Sequence, residues 1–264
     1  MGCALGAAVV FGVAVPAARA ADPPPRPRII FYGDSLLHEG RDRVQALLDA
    51  RFRGAWDVQL RTFPGSSICG WFDDMRADHA QIVVLLFTGV WLGSGCENPI
   101  SSHRAYPQSY FSDLQTAIRI WQAKGTKVVL LDWPHSCCVP DAPDRIWEGY
   151  QAIAARTGVV TLDPAAALYD PIDKIWPPAM PCLRPTEPGC DQSSGFVAVR
   201  DAPLAAHNIF GRGGGHLCPV QGILTPCPVY SSGIERYATA ITRSVGDLME
   251  ATVPMTESPK ALWR

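Results

Sequence analysis

Two kinds of apolar pattern alternate along the first 163 residues of this chain. Short runs rich in β-branched and aromatic residues, RIIFYG (28–33), WDVQLRTF (56–63), IVVLLFTG (82–89), KVVLLDW (127–133) and GVVTLD (158–163), predict strands. The third is continuously apolar, as a central parallel strand covered on both faces should be. Between the runs lie stretches of helical period. HEGRDRVQALLDARF places Val44, Leu47, Leu48 and Phe52 on one face, QSYFSDLQTAIRIWQA covers 108–123 and stops near Gly125, and PDRIWEGYQAIAART covers 143–157. This alternation predicts a three-layer α/β/α domain around a parallel sheet of about five strands.

From Pro164 to Pro228 the pattern changes. This segment is rich in Pro, Gly and Cys with little periodicity, and it reads as an elaborated loop region pinned by disulfides. A last helix follows in SSGIERYATAITRSVGDLMEA, with Ser231 or Ser232 as N-cap and Ile234, Tyr237, Ala238 and Ile241 as its apolar stripe. No internal repeat is visible.

The N-terminus adds a targeting signal. Residues 1–20, MGCALGAAVVFGVAVPAARA, form an apolar run ending in small residues at Ala18-Arg19-Ala20, the pattern of a secretory cleavage site. The expected organisation is a signal peptide over 1–20, a disordered proline-rich leader over 21–27, one domain over 28–252 and a tail over 253–264. No later run is long and apolar enough to cross a bilayer. The formal net charge of −2 and the absence of any Lys/Arg run argue against nucleic acid as a partner. Eight of the nine cysteines lie beyond the signal, an even number that suggests disulfides in an exported chain. A zinc site would want C-x-x-C pairs, and there are none. Reduced buried thiols are the alternative.

Ser35 follows the first strand directly, at the turn into the first helix. Chemistry in an open parallel sheet is placed outside the carboxyl ends of the strands. A serine there brings backbone N–H groups at a helix start, donors that can hold the oxyanion formed when a hydroxyl attacks an ester carbonyl. The same serine can equally serve as a helix cap.

The tetrapeptide GDSL at 33–36 resembles the first block of the SGNH (GDSL) hydrolase family. FPGSSICGWFDDM (63–75) resembles the second block, LLFTGVWLGSGCEN (85–98) the third and GGGHLCPVQG the last, in the family's order, and CPVYSSGIERYATAI resembles the ending of exported actinobacterial members. The resemblance spans about Arg28 to Val245. It implies a flavodoxin-like SGNH fold, Ser35 as nucleophile, His216 as general base, and Ser35 and Gly65 as oxyanion donors. It also implies an exported esterase or acyl-hydrolase acting on a small-molecule, lipid or glycan ester, with no cofactor and no metal, expected to work as a monomer.

Two positions depart from the family. Val90 stands where the third block carries its asparagine, with Trp91 and Asn98 as nearby substitutes. Gly213 stands three residues before His216, where the family places the aspartate that orients the imidazole; the nearest upstream acid is Asp201. These departures support an alternative, a nearly inactive relative that binds an acylated glycan or lipid without turning it over. Of the other histidines, His38 is expected at the surface or the rim of the site and His79 in solvent, while His103, His135 and His207 fall in loops without a partner motif.

Placed against the blocks, the cysteines suggest pairs. Cys69 with Cys96 would join the loops after two adjacent strands, Cys218 with Cys227 would close a loop just after His216, and Cys182 with Cys190 would cross a proline-rich loop. Cys137 and Cys138 are left over. Trp71, Trp91 and Trp133, near predicted strand ends, either line a groove or serve as packing.

Overall fold

The computed structural model describes residues 25–88, 108–134, 143–170, 172, 176–200, 216–218, 227 and 231–252. The signal and tail, Val90, Trp91, Cys96, Asn98, Cys137, Cys138, Asp201, Gly213 and the three loop histidines fall outside these residues.

Five strands form one parallel sheet: β1 (Arg28–Gly33), β2 (Asp57–Thr62), β3 (Ile82–Leu86), β4 (Lys127–Leu131) and β5 (Val160–Leu162), in the order β2-β1-β3-β4-β5. The central β3 is buried at every position, and β1 and β4 nearly so, as their continuous apolar sequences require. The edge strands β2 and β5 are only partly covered. The helices are α1 (Ser35–Phe52), α2 (Phe72–Ala77), α3 (Gln108–Gln122), α4 (Pro143–Thr157) and α5 (Ser232–Thr252). They pack as two groups, α1 with α5, and α3 with both α2 and α4, which gives the expected three-layer arrangement. Trp121, Tyr32, Phe31 and Tyr237 are among the largest side chains wholly inside the core.

Chain connection passes from β1 to β2 on one side and then back across to β3 on the other. That reversal opens a crevice between the carboxyl ends of β1 and β3, where sheets of this order bind their ligands.

The proline-rich segment holds more structure than its sequence predicts. It begins with a 3₁₀ turn at Pro164–Leu168 and contains an antiparallel hairpin of β6 (Ala179–Pro181) and β7 (Phe196–Ala198). The disulfide Cys182–Cys190 forms as expected, inside the hairpin's connection. Within that loop Glu187 accepts from Leu183 N–H at 2.6 Å and from the guanidinium of Arg236 on α5 at 3.0 Å, and Ser232 Oγ also donates to it. Both ion-pair side chains are 5% exposed. Burial would raise the Glu187 carboxyl, but hydrogen bonds from Ser232, Arg236 and Leu183 hold it below the ordinary glutamate value.

Among the described residues, no helix is long and apolar enough to cross a membrane.

Candidate active site

The site begins where β1 turns into α1. A Cβ on Gly33 would lie 2.8 Å from the Leu86 carbonyl oxygen and 2.7 Å from Leu37 Cδ2, so only glycine lets the helix start so close to β3. Asp34 is the N-cap of α1, and its carboxylate accepts from Leu36 N–H at 3.3 Å. Its other oxygen accepts from Thr88 N–H and Thr88 Oγ1, each at 2.7 Å, while its own N–H donates to Leu86 O at 3.2 Å. Asp34 therefore stitches the first block to the end of β3, where the third block begins. It is wholly buried; burial raises its carboxyl to about 6, opposed by the Thr88 and Leu36 hydrogen bonds and by the charge of His216.

Ser35 is the first residue of α1 and is partly exposed. Its amide is among the first four of a helix, which have no acceptor inside the helix and point outward from its positive end.

The second block is bound to the same turn. The Gly33 carbonyl accepts from Phe63 N–H at 3.2 Å and from Ser66 Oγ at 3.3 Å. Between them Gly65 has a φ of 74°, a left-handed conformation that favours glycine and explains the residue at this position. Phe63 stands at the rim with 54% of its surface exposed. Further on, a 3₁₀ turn at Ile68–Trp71 leads into α2, and Cys69 within that turn is disulfide-bonded. Cys96, its expected partner, lies outside the described residues. Trp71 packs edge-on against Tyr32 at 5.6 Å, and Trp133 is buried against Trp147 and Tyr150, so both serve as packing.

His216 reaches this edge through a partner the sequence motifs did not identify. Its Nδ1 is hydrogen-bonded to Glu39 Oε1, and Glu39 lies four residues after Ser35 on α1. The other carboxylate oxygen accepts from Leu217 N–H at 2.7 Å and from Cys218 N–H at 3.3 Å. Cys218 forms its disulfide with Cys227, as expected, and Cys227 N–H donates to the Glu39 carbonyl at 3.4 Å. On the far side Ser231 Oγ donates to Leu217 O at 2.6 Å and caps α5 by accepting from Ile234 N–H. Residues 216–218 are thus clasped between α1 and α5. Glu39 was legible only as a carboxylate one helical turn after the serine, since the motif directs attention to the residues preceding the histidine instead.

His38 corrects an expectation. It is 6% exposed rather than at the surface, because α1 turns this position towards β2, where its Nδ1 lies 3.0 Å from Thr62 Oγ1. His79 is exposed, as predicted. Among the described residues no three His, Cys, Asp or Glu side chains converge as a metal site.

No family model matches the chain, and comparison with curated proteins finds no match. Solved structures do resemble it. A carbohydrate acetylesterase from Sinorhizobium meliloti aligns with a TM-score of 0.50 over 84% of this chain and 100% of its own, at 12% identity. A GDSL-like lipase from Bacteroides thetaiotaomicron VPI-5482 aligns with a TM-score of 0.46 over 84% and 88%, at 14% identity. The first likeness bears on the fold, which is that of the SGNH hydrolases as the sequence blocks implied.

Proposed function

We propose that this protein is an exported serine esterase or acyl-hydrolase in which Ser35 attacks the acyl carbonyl and His216 accepts its proton. The N–H groups of Ser35 and Gly65 receive the oxyanion, and the ester C–O bond breaks as His216 gives its proton to the leaving alcohol. A water deprotonated by His216 then attacks the acyl-enzyme, releasing the acid and returning the proton to Ser35. The observation that supports the reading is that the three residues are tied to one turn and its helix: Ser35 is the first residue of α1, the Gly65 turn is bonded to Gly33, and His216 is bonded to Glu39 of α1.

Export is supported by the signal-like N-terminus and by the cysteines, since Cys182–Cys190, Cys218–Cys227 and a bonded Cys69 suit an oxidising compartment. The substrate class is a small-molecule, lipid or glycan ester.

Labelling the mature protein with a fluorophosphonate and assaying short-chain p-nitrophenyl esters tests the reading. The expected result is one covalent adduct on Ser35 and hydrolysis that Ser35→Ala abolishes. No adduct, with turnover equal to the alanine variant, would instead support the second reading, a binding protein with an idle site, which Val90 in the asparagine position favours.

A further inference from the structure

We infer that Glu39, supplied by the nucleophile's own helix, is the carboxylate that orients the His216 imidazole, in place of an acid carried by the histidine loop. The inference rests on the Ser–His reading above and deepens it.

Three observations carry it. First, the contact is on the right ring nitrogen. A carboxylate at Nδ1 accepts the Nδ1–H proton, which leaves Nε2 as the basic nitrogen to face a serine hydroxyl. Second, Ser35 and Glu39 are spaced i, i+4, so both project from one face of α1 with about 6 Å of helix rise between them. The nucleophile and the acid therefore share one rigid element, and only the base arrives from elsewhere. Third, the second Glu39 oxygen holds the backbone on which the ring is mounted, through Leu217 N–H and Cys218 N–H. One carboxylate thus fixes both the ring's tautomer and the position of its main chain.

The arrangement is not that of a surface glutamate. The Glu39 side chain is 11% exposed, against 37% for His216, so the acid is closed off while the imidazole stays open to a substrate. Arg43, one turn further along α1, forks onto Glu235 of α5 at 2.6 and 2.7 Å. Asp34 also feels the charge of His216, but it is wholly buried and its carboxylate is turned to Thr88 and Leu36. Glu39 is a positioning residue in this scheme: it acts through His216 and does not touch the ester.

Glu39→Gln and Glu39→Asp separate orientation from simple loop packing. Glutamine keeps an acceptor for the loop amides but loses the charge; aspartate keeps the charge with one methylene less. For Glu39→Gln, kcat should fall by roughly 10²–10⁴, by analogy with loss of the carboxylate in other triads, while KM changes by less than about threefold. The acid limb of its kcat/KM profile should move to lower pH, because an imidazolium without its carboxylate loses its proton more readily. Glu39→Asp should keep that limb in place. Fluorophosphonate labelling of Ser35 should slow in parallel with kcat.

Full kcat in Glu39→Gln with an unmoved limb would overturn the inference, as would equal losses in both variants with neither limb displaced. If the wild-type protein shows no Ser35-dependent turnover, the hydrolase reading fails and the Glu39 contact is read by proton NMR instead. A downfield His216 Nδ1–H resonance that disappears in Glu39→Gln supports the assignment; its absence from the wild type overturns it.

Discussion

The two halves of the candidate site are held in place by different physics. Ser35 and Gly65 stand on the sheet: β1 and β3 are buried almost throughout, and the turn between β1 and α1 is locked by the fully buried Asp34 and by a glycine that admits no side chain. His216 is held instead by the Cys218–Cys227 disulfide, by the Glu39 and Ser231 hydrogen bonds to Leu217, and by the Cys182–Cys190 bridge and Glu187–Arg236 pair that brace α5. Apolar burial is non-directional and spread over many residues. Disulfides and buried ion pairs are few and specific, so each one removed costs more. The Ser35–Gly65 half should therefore tolerate single conservative substitutions better than the His216 half.

The largest effect is expected where a charge would be stranded. Glu187→Ala leaves Arg236 buried without its carboxylate, and chemical denaturation should show a loss of about 3–5 kcal/mol. A loss under about 1 kcal/mol would show that the hairpin relaxes to admit water, and the contrast between the halves would shrink. Next comes the clasp behind the base. Cys218→Ser with Cys227→Ser opens a disulfide of sequence separation 9 and should lower stability by about 2–3 kcal/mol. Its sharper signature is kinetic: Ser35 labelling should slow while far-UV circular dichroism stays unchanged, because the sheet does not depend on this bridge.

The smallest effect concerns pH and has opposite signs in the two halves. Asp34 has a carboxyl raised to about 6 by burial, so its contribution is fully present below the unfolded value near 4 and is lost as pH rises through about 6. Asp34→Asn cannot titrate, so its melting temperature should gain on the wild type between pH 4 and 6 and then level off. Glu187, held below the ordinary glutamate value, contributes in the reverse sense, with stability present above that value and lost on acidification. An Asp34→Asn variant that loses ground to the wild type as pH rises from 4 to 6 would contradict the sign given to the Asp34 half.

The same contrast explains what could be read from the sequence. The five strands and the helices between them were legible because burial on one or both faces imposes a period, as in IVVLL or in Val44, Leu48 and Phe52. The β6–β7 hairpin was not legible. Its strands, AMP and FVA, are three residues each, and Phe196 is nearly half exposed, so no alternation marks them. Helix α2 was missed for a similar reason: FDDMRA buries only Met75. Within the candidate site, Ser35, Gly65 and His216 were marked by local motifs, and the turn geometry explains the glycine at 65 and the helix start at 35. Glu39 was not, because its partner lies 177 residues away and no periodic or local rule links a helical glutamate to a distant loop. His38 was misplaced because its polarity suggested solvent, while its position on α1 put it against Thr62.

The i, i+4 spacing of Ser35 and Glu39 also bears on how this protein can change over generations. When the orienting acid travels on the same loop as the base, every insertion or deletion in that loop puts two functional groups at risk together. With Glu39 on α1 as the proposed acid, the glycine-rich run before His216 would not have to deliver a carboxylate at a set offset. Its length and sequence become free to drift, and to be recruited for contacts with the ester, so long as His216 still lands on Glu39.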